Sequence, residues 1–266
     1  MPGRFPQVLE DPTFGAEAQK LFHDAKTLLD RVIRENWFRA EAVYGFWPAE
    51  SNNADTITVQ TESGEVKLEM LRQQLKKAVG QPTFSLADFI RPTQAGGNDY
   101  IGSFAVTIHD AQKHIQAFAD EQDEYNKIIV QILADRMVEA LAEYLHEQVR
   151  KDFWGYDAAE TLSNEDLIWE KYAGIRPAPG YPACPDHTEK LKLFSMLNAT
   201  ENVGITLTES LAMNPPASVC GWYIAHPDSH YFGLGKIKQD QLTDYATRKG
   251  MSLEEATKWL RTVVEG

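Results

Sequence analysis

Apolar residues recur at helical spacing in two long stretches of the chain. Residues 16–35 place them on a single face, and residues 123–151 keep an apolar side from Ile128 to Val149. This periodicity predicts two amphipathic helices, each with one buried face. Shorter helices are predicted at residues 165–174 and 188–197 and after Ser252.

Other stretches alternate polar and apolar residues or are enriched in β-branched and aromatic side chains. They predict strands at residues 40–49, 55–60, 65–70, 100–109, 218–227 and 231–237. The first three follow one another too closely for the long crossovers that parallel strands need, which indicates an antiparallel meander. No linker, low-complexity run or internal repeat interrupts the chain. We therefore predict one α+β domain over residues 1–266.

The composition and charge of the chain disfavour several classes of binding partner. The chain has 266 residues and a formal net charge of −13, which disfavours nucleic acid and anionic membrane surfaces as partners. No stretch approaches the roughly 18 apolar residues of a membrane span, and the N-terminus lacks the apolar core of a signal peptide. The two cysteines, Cys184 and Cys220, form neither a CxxC pair nor a disulfide framework. We expect a reduced, cytoplasmic setting.

Familiar cofactor motifs are absent or incomplete. Gly233-Leu-Gly235 lacks the third glycine of a dinucleotide loop, and His146-Glu147 does not continue into HExxH. His226 and His230 are four residues apart but do not share a helix face, so we predict no metal site. The stretch from Asp228 to Gly233 matches D-x-H-x-x-G of cobalamin-binding domains, but it joins two predicted strands and we interpret it as coincidence.

One segment stands out from this background. Residues 176–190, "RPAPGYPACPDHTEK", combine four prolines with an arginine, a tyrosine, a cysteine and a histidine. Proline fixes φ and stiffens an extended backbone. By itself the pattern favours a rigid connector between two helices.

Separated blocks along nearly the whole chain resemble one family. The blocks are "ADFIRP", "DYIGSFAVT", "EYLHEQVRK", "WGY", "RPAPGYPACPDHTEK", "GWYIAHPDSHYF" and "DYATRKGMS". Together they are similar to the C-terminal activation (reactivation) domain of cobalamin-dependent methionine synthase. The signature of that family is R-x-x-x-G-Y, which stands here at residues 176–181.

The resemblance implies a fold and a role. The fold would be a single C-shaped domain, with a twisted antiparallel sheet flanked by helices. The domain would bind S-adenosylmethionine and present it to cob(II)alamin, which is held by the cobalamin-binding module of the enzyme. An electron would come from flavodoxin or a related flavoprotein reductase, and methyl transfer would restore the active cofactor. Such chemistry needs two positioned reactants rather than a protein base or nucleophile, so we expect no catalytic residue in this chain.

The signature residues suit this ligand. Arg176 offers a fork of donors to the methionyl carboxylate. The backbone of Ala178, stiffened by its neighbouring prolines, can read an adenine edge. Gly180 permits close backbone approach or a φ that other residues resist, and Tyr181 supplies a ring and a hydroxyl.

Further ligand contacts are implied outside the signature. Tyr231 and Phe232 offer aromatic faces to a sulfonium cation or a corrin edge. Glu139 and Glu170 are candidates for contact with the ligand's ammonium group or for support of the residues that contact it, and Asp135 lies four residues before Glu139 on the same predicted helix.

The chain also departs from the family. The family carries a D-W-x-P-F-F segment upstream of "GRFPQVLED", and its aspartate contacts the amino group of the ligand. That segment is missing here, so we expect weaker S-adenosylmethionine binding than in a longer domain. The folate, homocysteine and cobalamin modules are also missing, so the chain alone is not expected to make methionine.

Two other functions stay open at this point. One is an independent S-adenosylmethionine-dependent methyltransferase, although the Gly-rich loop of the usual fold is not found. The other is a non-catalytic docking domain for a flavoprotein. Because flavodoxins are acidic, docking would need a basic patch, for which Lys236, Lys238, Arg248 and Lys249 are candidates.

Overall fold

The computed structural model describes residues 5–52 and 54–265. Residues 1–4, 53 and 266 of the predicted domain therefore lie outside the described part. The helices are α1 (Gly15–Arg34), α2 (Ala111–Asp120), α3 (Glu124–Gln148), α4 (Asn164–Ile168), α5 (Glu189–Leu197), α6 (Ala199–Val203), α7 (Gln239–Lys249) and α8 (Leu253–Leu260). The strands are β1 (Arg39–Ser51), β2 (Thr56–Thr61), β3 (Gly64–Glu69), β4 (Asp99–His109), β5 (Thr206–Leu207), β6 (Met213–Asn214) and β7 (Ser218–Tyr223).

A five-stranded sheet forms the centre of the fold. Its strand order is β3-β2-β1-β4-β7, and every neighbouring pair is antiparallel. The longest pairing joins β1 to β4, from Arg39 opposite His109 to Ala49 opposite Asp99. The two short strands β5 and β6 form a separate antiparallel pair. The predicted α+β class and antiparallel meander are confirmed.

Helices cover both faces of this sheet, and β4 shows how. Its even-numbered residues Phe104, Val106 and Ile108 pack with α3, whereas Ile101 and Ala105 pack on the opposite face with residues of α5 and α6. Successive side chains of a strand point to opposite faces, so a strand covered on both sides is buried on both, and every residue from Ile101 to Ile108 is buried. This explains why the sequence of β4 lacks the alternation of a half-exposed strand.

The C-terminal residues form a smaller core of their own. Leu242 and Tyr245 of α7 and Leu260 of α8 are buried together with Leu234 and Ile237. This cluster packs beside β3, because Leu71 belongs to it and α7 contacts that strand.

Some predicted elements differ from the structure. The strand predicted at residues 231–237 is wrong, because this segment is a loop in which only Ile237 makes a bridge, to Val264. The carbonyl groups of Gly233 and Leu234 accept hydrogen bonds from Gln73 and Gln74 instead of from a neighbouring strand of the sheet. The helix predicted at 165–174 ends early, at Ile168.

Other helix boundaries follow local signals. Asp123 begins α3 by accepting from the amide of Asn126, and Ser163 forms a capping box with Asp166 at the start of α4. The long predicted helix continues past α3 as one wider turn, Val149–Phe153. Helices α2 and α7 were not predicted. Within residues 5–52 and 54–265, no helix is long and apolar enough to cross a bilayer.

Candidate functional site

The segment that carries Arg176 is docked along the edge of the central sheet. Ile175 pairs with Ile224, just beyond β7, and the carbonyl of Pro177 accepts from the amide of Trp222 at 2.8 Å. A side chain at Gly221 would place its Cβ only 2.7 Å from that carbonyl oxygen. Glycine at this position therefore lets the segment lie flat against β7, which fixes where Arg176 begins.

The segment then reverses in a tight turn. The amide of Gly180 donates to the carbonyl of Cys184 at 2.7 Å, and the amide of Cys184 donates to the carbonyl of Tyr181 at 2.9 Å. Gly180 has a φ of +99°, and a Cβ there would lie 2.8 Å from Nδ1 of His187. The turn thus needs glycine for its backbone conformation and for the close approach of the His187 ring.

An open cleft of about 820 Å³ lies against this segment. Its walls come from β4, α3, the 176–184 segment, β7 and the loop after β7. The lining residues are Phe104, Glu139, Ala142, Glu143, Glu170, Arg176, Pro177, Ala178, Tyr181, Pro182, Ala183, Cys184, Val219, Tyr231, Phe232 and Gly233.

Most of the predicted site residues meet in this cleft. Arg176, Ala178, Tyr181, Tyr231 and Phe232 all line it, together with Glu139 and Glu170. Gly180 and Asp135 are not among the lining residues. Gly180 faces His187, and Asp135 is exposed on α3 one turn before Glu139.

The charges of the cleft are mostly negative. Glu139, Glu143 and Glu170 contribute carboxylates, and Arg176 contributes the guanidinium. Glu139 also pairs with Arg136 on the exposed side of α3, at 2.7 Å. Glu170 has a φ of +52°, a conformation that costs a side chain roughly 1–3 kcal/mol and is found at binding sites more often than elsewhere.

Arg176 is the most constrained side chain of the cleft. Its Nη2 donates to Glu143 at 2.6 Å, and its Nη1 donates both to the hydroxyl of Tyr172 and to Nδ1 of His146, each at 3.2 Å. The guanidinium also lies over the ring of Tyr172. Glu143, His146 and Tyr172 were not predicted. The block "EYLHEQVRK", quoted for the family resemblance, contains two of them at helical i, i+3 spacing, and this was the available signal.

His146 is buried and neutral. Because an arginine can only donate, its hydrogen bond to Nδ1 requires the proton of the ring to be on Nε2. Nε2 lies 3.3 Å from the hydroxyl of Tyr156, and the ring stacks on Tyr223. Burial, reinforced by the charges of Arg150 and Arg176, lowers the pKa of His146 well below its usual value.

The two aromatic residues after β7 have distinct environments. The hydroxyl of Tyr231 accepts from the amide of Arg176 at 3.0 Å and lies 3.3 Å from the hydroxyl of Tyr172. Phe232 packs near Phe84 and Phe89 at the far side of the cleft. Tyr231 thus fixes the backbone of Arg176 while its ring lines the cleft.

Cys184 lines the cleft but is not a reactive thiol. Burial, followed by the nearby charges of Glu189 and Asp186, raises the pKa of Cys184 well above its usual value. A protonated thiol is a poor nucleophile. In the described part of the chain, no group of three or more His, Cys, Asp or Glu residues is placed to hold a metal ion.

The basic patch considered for flavoprotein docking does not form as expected. Arg248 and Lys249 are largely buried: Arg248 pairs with Glu69 at 2.7 Å, and Lys249 pairs with Asp186 and Glu189 at 3.2 and 2.5 Å. Their charges are neutralised inside the protein. Lys236 and Lys238, the other two candidates, are exposed.

The chain is similar to known proteins over the whole site. A family model described as the activation domain of vitamin B12 dependent methionine synthase matches residues 1–250. A crystal structure of the MetH reactivation domain bound to AdoHcy is 47% identical to the chain and superposes with a TM-score of 0.95. That likeness covers 100% of this chain and 83% of the other, so it includes every residue of the cleft.

Proposed function

The chain belongs to the family of activation domains of vitamin B12 dependent methionine synthase, and on this basis we propose that its cleft binds S-adenosylmethionine. The bound ligand would be presented to the cobalamin held by another module of the methyltransferase, for reactivation of that cofactor. The AdoHcy bound to the similar reactivation domain supports this ligand class, because AdoHcy is S-adenosylmethionine without its transferable methyl group.

The observation that carries the proposal is the match between the cleft and the ligand. A volume of about 820 Å³ lies within the range of roughly 300–1,000 Å³ typical of small-molecule sites. S-adenosylmethionine carries a sulfonium, an ammonium and a carboxylate. With Glu143 paired to Arg176, the cleft offers the carboxylates of Glu139 and Glu170 and the remaining donors of Arg176, which complement the two positive groups and the carboxylate of the ligand.

We assign Arg176 to the ligand's carboxylate. Its Nη1 donors are engaged by Tyr172 and His146, and one Nη2 donor is engaged by Glu143. Arginine has five N–H donors, so Nε and the second hydrogen of Nη2 are left for a carboxylate. Two donors suffice for the bidentate pairing that arginine favours.

The other contacts follow from position in the cleft. The amide of Ala178 donates no hydrogen bond within the described residues, so it is free to bind a heteroatom of the adenine. Glu139 and Glu170 are exposed acids at the ligand's positive groups, and Asp135 is at most part of their surroundings. The rings of Tyr231 and Phe232 provide aromatic surface for a cation. Gly180 contributes by shaping the turn.

S-adenosylmethionine supplies an activated methyl group, so the chain has only to bind and orient the ligand. Tyr181 is 63% exposed beside the cleft, where a ring can cover the ligand without closing access to the methyl group. Burial raises the pKa of Cys184, so this cleft residue is a protonated thiol and a poor nucleophile for an activated methyl group.

The proposal extends to partners and setting. We propose flavodoxin or a related flavoprotein reductase as the electron donor and the cytoplasm as the compartment, with family membership and two free, buried cysteines as support. Since methionine formation needs folate and homocysteine sites, we propose that this domain acts only with the rest of the enzyme.

Calorimetric titration with AdoHcy and S-adenosylmethionine tests the assignment. The variants are Arg176→Ala, Arg176→Lys, which keeps a charge opposite Glu143, and Arg34→Ala, which removes an exposed arginine from α1 as the control. We expect both Arg176 variants to lose roughly tenfold to 100-fold in affinity, the value of a charge-assisted bidentate pair. Wild-type affinity in both Arg176 variants would refute the site.

A further inference from the structure

Among residues 5–52 and 54–265, Glu143 is the one carboxylate that pairs with Arg176. It lies on α3, one helical turn before His146, and its Oε2 accepts from Nη2 of Arg176 at 2.6 Å. The two side chains are only 28% and 23% exposed. An ion pair of this burial is screened less by water than a surface pair, so each charge depends on the other.

The remaining oxygen of Glu143 strengthens this dependence. Oε1 is buried and has no hydrogen-bond partner within the described residues. A buried carboxylate oxygen without a donor is costly, which means that Arg176 is the group that compensates the charge of Glu143. A buried oxygen without a donor calls for an explanation, and the contact of Glu143 with Arg176 supplies one.

The neighbours of Arg176 show what Glu143 adds. His146 accepts through Nδ1 and is neutral, and the hydroxyl of Tyr172 is also neutral. Both hold Nη1 without balancing the charge. Arg150 pairs with Glu160 and also lies over the Tyr172 ring, so a second cation is close by. Without Glu143, Arg176 would have no carboxylate hydrogen-bonded to it, although a second guanidinium lies against the same tyrosine.

We propose that Glu143 is a positioning residue, which fixes the guanidinium plane of Arg176 so that its free donors face the α-carboxylate of the ligand. This inference rests on the proposed function, since it assumes that Arg176 binds that carboxylate. It assigns Glu143 no contact with the ligand, because its Oε2 is engaged by Arg176 and its Oε1 is inaccessible.

A competing role for Glu143 would change the affinity for AdoHcy in the opposite direction. If Glu143 were a competing anion that occupies Arg176 until the ligand displaces it, its removal would strengthen AdoHcy binding. If it is a positioning residue, removal lets the guanidinium rotate and weakens binding, since misplacement of a bidentate group by about 1 Å is expensive.

A double-mutant cycle in the full chain separates these cases. Affinities for AdoHcy and for 5′-methylthioadenosine, which lacks the amino-acid part, are measured in wild type, Glu143→Gln, Arg176→Ala and the double variant. Glu147→Gln is the matched control, because Glu147 lies one turn further along α3 and pairs with Lys151 outside the cleft.

We expect Glu143→Gln to weaken AdoHcy binding by roughly tenfold and to leave 5′-methylthioadenosine binding unchanged. In the Arg176→Ala background, the same substitution should have no further effect on AdoHcy. Glu147→Gln should bind both molecules as the wild type does. A purely structural role of Glu143 would weaken the binding of both ligands equally. The comparison with 5′-methylthioadenosine therefore separates positioning from general damage.

Three results would overturn the inference. They are unchanged or tighter AdoHcy binding in Glu143→Gln, an equal loss for both ligands, and a further loss of AdoHcy affinity when Glu143→Gln is added to Arg176→Ala. The third comparison holds even if the single variant folds poorly, because the double variant leaves no unpaired charge. Normal AdoHcy binding in Arg176→Ala would instead refute the proposed function itself.

Discussion

Substituting His146 by glutamine should change how the stability of the domain depends on pH. The imidazole is fully buried and its Nδ1 accepts from Arg176, so a second proton would face a guanidinium that can only donate. Burial and the two nearby arginines lower the pKa of His146 well below 6.5, its ordinary value. In the unfolded chain the imidazole is solvated and titrates near that ordinary value.

The direction in which stability changes with pH follows from proton binding. As pH falls through about 6.5, the unfolded chain takes up a proton at this position and the folded chain does not, so stability is lost. Above that value both states are neutral and the contribution is constant. For one group of this kind, the free energy of unfolding falls by about 1.4 kcal/mol between about pH 7.5 and about pH 5.5. The glutamine variant should lack this component, because its amide does not titrate.

Urea unfolding of wild type and His146→Gln at several pH values in this range measures the difference. Glutamine can still accept from Arg176 through its side-chain oxygen, so the hydrogen bond is kept while the titration is removed. His23→Gln, which removes an exposed imidazole from α1, is the control and should keep the wild-type slope. Parallel curves for wild type and His146→Gln would show that His146 is protonated equally in both states, and the account of Arg176 would fail with it.

Two further predictions concern the turn beside the cleft. Gly180→Ala should destabilise the fold by roughly 2 kcal/mol or more, since it adds a clash with His187 to an unfavourable φ. Gly64→Ala is the control and should cost less, because Gly64 has a φ of +120° but no neighbour within 4 Å. Equal losses of stability in urea unfolding would contradict the contact with His187. In the native protein at about pH 8, Cys184 should resist alkylation by iodoacetamide, because burial raises the pKa of that thiol. Both cysteines should react in urea. Full alkylation of Cys184 in the native protein, detected by mass spectrometry, would show that its thiol is reactive.

The sheet could be predicted because its strands have strong local signals. β1 and β4 carry apolar runs, and the short gaps between β1, β2 and β3 leave only antiparallel pairing, but the pairing of β1 with β4 and its register were not predicted. The segment 231–237 has the same apolar content but does not form a strand. Its backbone groups bond to Gln73 and Gln74, which are distant in sequence, and single-sequence patterns do not contain such partners.

The residues of the cleft could be predicted only as far as the family resemblance reached. Arg176, Ala178 and Tyr181 stand in one motif, and the structure places all three in the cleft. Glu143 lies 33 residues before Arg176 on an ordinary-looking amphipathic helix, where a charged residue is most simply explained as solvated. Its role depends on the docking of the 176–184 segment against β7, which brings Arg176 of the signature into contact with α3.

The same segment is held from its other end by charge. Asp186 is buried and accepts from the hydroxyl of Tyr245 at 2.6 Å, while Lys249 pairs with Asp186 and Glu189. These contacts join helix α7 to the turn that follows the signature. Removing one member of such a buried pair typically costs roughly 3–5 kcal/mol, so Lys249 is not available to an acidic partner.

Only those basic side chains that are not paired inside the protein are therefore available to a partner. Arg248 and Lys249 are used to attach α7 to the rest of the domain, and Arg176 is compensated by Glu143. An acidic flavoprotein that approaches this protein, itself of net charge −13, must use exposed cations such as Lys236 and Lys238 or bind mainly through shape. Because long-range attraction between two acidic surfaces is lacking, such a complex should form more readily as salt screens their repulsion, which is the reverse of the dependence expected for a basic docking patch.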